Sequence, residues 1–116
     1  LAAAHARLIE ATQAGLAAAR PGARACAVWR AMAAVTGAGE GAGRLGHGLG
    51  MQLTEGLSLT AQDETVLCQG MVITLEPGID TAPGRIMVHE EDIVITEAGP
   101  RALSPLSGAE MPVLPG

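Results

Sequence analysis

Aromatic residues are almost missing. The chain has one tryptophan, Trp29, and neither phenylalanine nor tyrosine. Its core must be assembled from Leu, Val, Ile, Met and Ala, which carry less bulk than rings, so high stability is not expected. Positive charge is scarce as well. Seven Lys or Arg stand against twelve Asp or Glu, for a formal net charge of -5. Without a basic patch the chain lacks the electrostatic footprint of a nucleic-acid binder. Cysteine is limited to Cys26 and Cys68, which form no Cys-x-x-Cys pair. Two buried thiols in a reducing, cytoplasmic compartment is the reading of that pattern. No apolar run reaches the ~18 residues that a membrane span needs. Arg7 and Glu10 interrupt the alanine-rich start, which excludes a signal peptide there. The chain begins with Leu1, which points to a piece of a longer polypeptide or a trimmed one.

The 116 residues suffice for one domain. A domain of this size buries about 65% of its unfolded surface, so it can build a core. Residues 2–19, "AAAHARLIEATQAGLAAA", read as a helix, because alanine is the best helix former. Leu8, Ile9, Thr12 and Leu16 supply its apolar stripe, and Pro21-Gly22 ends it. Residues 23–36, "ARACAVWRAMAAVT", read as a second helix with Val28, Met32 and Val35 on its buried face. "GAGEGAG" at 37–43 is a loop by composition. The pattern then turns to strand. "MVITLEPG" at 71–78 is a branched apolar run stopped by Pro77-Gly78. "RIMVHEEDIVITE" at 85–97 reads as one long strand or two joined segments. "EAGPR" follows as a turn, and "ALS" at 102–104 as a returning strand. Two helices followed by strands predict an α+β fold, an antiparallel sheet covered on one face by helices. The expected division is a helical hairpin over 1–36, a β region over 43–104 and a tail over 105–116.

Three positions carry chemistry. His47 sits in the glycine-rich "RLGHGLG", where glycine permits close backbone approach. Glu76 ends an apolar strand. Glu90 lies among strand residues beside His89, Glu91 and Asp92. A charge among core strands is costly unless it is paired or binds a metal. Imidazole with carboxylates is a ligand set for Mn, Co, Zn or Fe, and three such ligands with an open position can hold a catalytic ion. Each residue also has a plainer reading: a loop histidine bonded to backbone, a strand-ending glutamate, a solvated acidic edge.

The order "GHGLG", "ITLEPG", "EEDIVITE" resembles the creatinase/aminopeptidase P/methionine aminopeptidase family, the pita-bread metallopeptidases. The resemblance covers roughly residues 5–104, including a helix–Pro-Gly–helix around "RPGARACAVWRAM". In wording it is most similar to the branch holding ectoine hydrolase and Xaa-Pro dipeptidase-like proteins. It implies half of a pita-bread fold, two helices on a curved antiparallel sheet. It also implies a divalent metal site and a small peptide or amide substrate. His47 then corresponds to the family's metal-binding histidine, and Glu76 to the glutamate that binds metal and shuttles a proton. Glu90, seven residues before Glu97, corresponds to the glutamate that bridges two metals; Glu91 is the neighbour most easily confused with it. Gly48 and Thr54 fall at positions facing substrate.

Two departures accompany the match. The resemblance implies two further metal-binding aspartates from a preceding half of the domain. The only aspartates here are Asp63, Asp80 and Asp92, all after His47. At Thr54 many members carry a second histidine, and a threonine hydroxyl cannot carry a proton charge. The expectation is therefore a C-terminal catalytic half with little or no hydrolysis alone. The alternative is a non-catalytic binding or assembly module of the same ancestry. A half-domain leaves a sheet edge and face to be covered, most simply by a second copy in a homodimer or by another chain.

Overall fold

The computed structural model describes residues 2–39, 43–49 and 53–103, and of residues 53–55 the backbone alone. Helix α1 spans Ala2–Ala18 and helix α2 Ala25–Thr36. Pro21 and Gly22 separate them as the sequence predicts. Helix α2 stops at Gly37, whose left-handed φ of 80° turns its N–H back onto the Ala33 carbonyl. Its N-cap, Arg24, makes no side-chain cap. Instead the first two N–H groups of α2, from Ala25 and Cys26, donate to the carbonyls of Thr65 and Asp63. Distant backbone thus satisfies donors that a helix start otherwise leaves open. Helix α1 packs against Met32 of α2 at Gly15. A β-carbon there would lie 2.7 Å from Met32 Cγ, so the glycine inside α1 is a packing requirement.

Strands β1 (His47–Leu49), β2 (Leu53–Ser58), β3 (Val72–Leu75), β6 (Glu91–Thr96) and β7 (Gly99–Ala102) form one sheet in the order β2-β1-β3-β6-β7. Every neighbouring pair is antiparallel. Strands β4 (Gly78–Ala82) and β5 (Arg85–Val88) form a separate hairpin. The 85–97 run is therefore two segments in two sheets, broken at His89-Glu90. The returning strand begins at Gly99, earlier than "ALS", because Gly99 through Ala102 pair with Thr96 through Ile93. Only Glu97 and Ala98 are left for the turn. The tail over 105–116 lies outside the described residues.

The helical hairpin and one face of the sheet share a single apolar cluster. It contains Val28, Trp29 and Met32 from α2, Ala11 from α1, and Ile73, Leu75, Ile93 and Ile95 from the sheet. In β6 the alternation is strict: Glu91, Ile93 and Ile95 are buried while Asp92, Val94 and Thr96 are only partly so. Of the expected stripes, Leu8, Ile9, Thr12, Val28 and Met32 are buried, with Leu16 and Val35 at the margin. The buried Thr12 hydroxyl donates to the Leu8 carbonyl and so carries no unmet bond. One expectation fails. Cys26 is buried but Cys68 is exposed, because it lies in the turn before Met71, outside the sheet.

Candidate metal centre

Strand register decides which side chains meet. Side chains alternate between the two faces of a sheet, and residues opposite each other across a ladder share a face. Thr74 pairs with Asp92 and Leu75 with Glu91. One step further, Glu76 stands opposite Glu90. Gly48 pairs with Ile73, which sets His47 opposite Thr74. The face away from the helices therefore carries His47, Thr74, Glu76, Glu90 and Asp92. Gly48 lies on the core side of β1, in register with Ile73. The side chain of Thr54 lies outside the described residues.

His47 is seated by its backbone. Gly46 has no room for a side chain, since a β-carbon would meet the Thr74 carbonyl oxygen at 2.0 Å. The glycine before the histidine thus serves a close approach, but to strand β3 of its own sheet. Neighbouring bonds fix the crossing: Leu59 N–H to Gly46 carbonyl and Glu76 N–H to Leu45 carbonyl. The His47 N–H then donates to Thr74 Oγ1 at 3.0 Å, and that hydroxyl donates to Glu76 Oε2 at 2.5 Å.

The ring of His47 has its Nδ1 3.0 Å from the Gly48 carbonyl. A carbonyl only accepts, so Nδ1 carries the hydrogen. In the neutral ring Nε2 is then a lone pair, and it faces Glu76 Oε2 at 3.2 Å. A proton on Nε2, giving an imidazolium–carboxylate pair, or a shared metal ion satisfies both atoms. Two donors each ~2.1 Å from one ion lie about 3–3.5 Å apart, so the spacing suits a shared divalent ion. The neighbouring carboxylates show the same demand. Glu90 is itself exposed, but desolvation by its neighbours, the charges of Glu76 and Asp92 and a hydrogen bond with Asp92 raise its carboxyl above the usual range. His47 pulls it partly back. Asp92 also has a buried Oδ1 with no hydrogen-bond partner. His47 and Glu76 therefore suit one edge of a divalent-cation site. Among the described residues no three His, Cys, Asp or Glu groups are gathered closely enough to enclose one; His47 and Glu76 form an edge, with Glu90 beside it.

The sequence singled out three of these five residues and passed over two. Thr74 lies two before Glu76 and Asp92 two after Glu90, so a strand period applied outward from each glutamate finds both. Glu90 lies just before β6, not within it. A cavity of about 710 Å³ opens beside Glu76, between the end of α2 at Thr36 and Gly37 and the β4–β5 hairpin at Asp80, Ile86 and Val88.

Comparison with known proteins gives the family and the fold. The family model for metallopeptidase family M24 matches residues 1–97. The Xaa-Pro dipeptidase of Pyrococcus furiosus is 43% identical over 60 residues, which are 52% of this chain and 17% of that protein. Among solved structures, dipeptidase PepE of Mycobacterium ulcerans superposes with a TM-score of 0.80 at 32% identity. That match covers 92% of this chain and 30% of PepE. The prolidase of Pyrococcus furiosus gives a TM-score of 0.79 at 32% identity, over 90% of this chain and 32% of the prolidase. The chain therefore spans less than a third of the length of these relatives.

Proposed function

This chain belongs to metallopeptidase family M24, and from that premise we propose that it is the C-terminal catalytic half of a metal-dependent hydrolase cutting an amide or peptide bond. The relatives named as Xaa-Pro dipeptidase and prolidase favour a small peptide substrate. The cavity beside Glu76 has the size of a small-molecule site. The observation that carries the proposal is the facing of His47 Nε2 and Glu76 Oε2 at 3.2 Å, with Glu90 at the next cross-strand position.

His47, Glu76 and Glu90 are the residues that would hold a divalent ion such as Mn, Co, Zn or Fe. When bound, such an ion supplies Lewis acidity, activating a water and polarising the scissile carbonyl. Glu76 is the proton carrier: one oxygen is engaged by Thr74 and faces His47, and the other is left to take a proton and return it to the leaving nitrogen. His47 and Glu90 act as ligands only, and Thr54 belongs to the substrate side, whereas Gly48 sits buried on the core side of β1, away from the ligand face. The two further aspartate ligands implied by the family are not among these residues, so the chain alone is expected to hydrolyse little or nothing. The test is metal content after dialysis, by elemental mass spectrometry, in wild type and Glu90→Ala. About one equivalent in wild type and none in the variant supports the half-site. No metal in either refutes it.

A second reading, a binding or assembly module of the same ancestry, draws on Ile86 and Val88. These are 64% and 53% exposed on the rim of the cavity. Apolar residues placed so suit a covering chain, most simply a second copy. Sedimentation of the 116-residue chain over a concentration series tests it: a monomer throughout counts against self-association. No described helix is long and apolar enough to cross a membrane. A reducing cytoplasm suits the two free thiols.

A further inference from the structure

We infer that Thr74 is a positioning residue that locks His47 and Glu76 into one metal-binding unit. The inference rests on the half-site reading and adds a residue that none of its motifs assigns. Thr74 is 1% exposed and sits on the sheet face opposite the apolar cluster's contacts with β3. A buried hydroxyl has one proton to give and must have a partner. Here both of its capacities are used, and each serves a different ligand. Its oxygen accepts the His47 N–H at 3.0 Å, which fixes the backbone from which the imidazole projects. Its proton goes to Glu76 Oε2 at 2.5 Å, the oxygen that faces His47 Nε2 at 3.2 Å. Two bonds run from the His47 backbone to the Thr74 hydroxyl and on to the Glu76 carboxylate, which leaves Oε2 facing the His47 ring across the gap that an ion would fill.

The direction of these bonds matters. Because the hydroxyl accepts from a backbone N–H, which cannot reverse, its proton is committed to the carboxylate. Glu76 Oε2 is thereby held in place with one lone pair still directed at the imidazole. Without that bond the glutamate could rotate about its last torsion and leave Nε2 facing nothing. The His47 N–H would in turn lose its acceptor beside a buried strand. Hydrogen bonds that orient ligands are commonly worth 10–100-fold in metal affinity. Thr74 serves two ligands at once, so a loss of at least 10-fold is expected.

The test uses the 116-residue chain, Co²⁺ as probe, and two substitutions. Thr74→Val keeps the shape and removes the hydroxyl; Thr74→Ser keeps the hydroxyl. Co²⁺ affinity is read by competition with a chromophoric chelator, coordination by the visible Co²⁺ spectrum, and the apo fold by thermal melting. Ile73→Val, one residue away on the core face, supplies a mildly destabilised control. The expected result is Co²⁺ binding weakened at least 10-fold and an altered spectrum in Thr74→Val. Thr74→Ser should stay within about threefold of wild type, and Ile73→Val should bind as wild type although it melts lower. Equal binding by Thr74→Val and wild type overturns the role of Thr74 and leaves the half-site standing. Equal weakening by Thr74→Val and Ile73→Val also overturns it, since the loss then follows stability. No Co²⁺ binding by wild type overturns the half-site reading and this inference with it.

Discussion

Replacing Gly46 by alanine puts a methyl group where strand β3 already is. The added carbon would lie 2.0 Å from the Thr74 carbonyl oxygen and 2.7 Å from Leu59 Cδ1. The leucine tip can swing aside, but the carbonyl belongs to a paired strand and cannot. Gly46 also has φ 157°, at the margin of the region that side chains rarely adopt. Displaced packing costs roughly 1–3 kcal/mol, and a sparsely populated backbone conformation about 1–3 kcal/mol more. A loss of ~3–4 kcal/mol is a large part of the 5–15 kcal/mol that holds a typical domain together.

Urea unfolding followed by circular dichroism measures this directly. With a slope near 2 kcal/mol/M, the midpoint of Gly46→Ala should fall by about 1.5–2 M. The control is Gly70→Ala. Gly70 has φ 93° but nothing within 4 Å of an added β-carbon, so it carries the backbone cost without the clash and should lose about 1–2 kcal/mol. Equal losses at the two positions would refute the steric argument. A loss below about 0.5 kcal/mol at Gly46 would refute the crossing of β1 and β3 as described.

Three other substitutions probe the layers below and around the site. Ile93→Ala empties a fully buried position in the shared cluster and should cost ~2–5 kcal/mol, seen as a melting temperature lower by roughly 10 °C or more. Glu91→Ala removes the acceptor 2.9 Å from His89 Nε2 in a pair only 15% and 7% exposed, so it should cost ~1–3 kcal/mol in urea unfolding. Glu90→Ala should be neutral to slightly stabilising in that assay, because it relieves crowding with Glu76 and Asp92; the reverse ranking would place the wrong glutamate in the core. Asp63 is pushed up by burial but held lower overall by bonds from Thr65 and the Ser58 N–H. Its folded pKa lies below the unfolded value of about 3.9, so its stabilisation is full above that pH and fades as pH falls through the folded pKa. Asp63→Asn should flatten the acid limb of a stability-against-pH curve below about pH 4, and an unchanged limb would count against it.

The helices were legible because their signals are local. Alanine content, an apolar stripe and Pro21-Gly22 fix α1 and α2 without reference to the rest of the chain. Strand β1 was not legible as a strand. It is three residues long and bounded by glycine, and it exists because Gly46 permits a crossing that only the folded sheet provides. The break at His89-Glu90 was hidden for a related reason. Residues on both sides have strand character, and only the separate pairing of β5 with β4 divides them. Capping of α2 by Asp63 and Thr65 carbonyls leaves no trace in side-chain composition.

The site shows the same division between spacing and register. Three motifs in order pointed to His47, Glu76 and Glu90, but nothing in "EEDIVITE" says which way each glutamate points. Ile93, Val94 and Ile95 are all apolar, so the run hides its own parity. The helices reveal it. They bury Ile93 and Ile95, which sends Glu91 into the core beside His89 and turns Glu90 and Asp92 to the face of His47 and Glu76. The same parity in β3 buries Ile73 and Leu75 against the helices and sets Thr74 in line with Glu76. A strand period of two therefore converts one packing fact, which isoleucines meet the helices, into the ligand face and the residue that locks it.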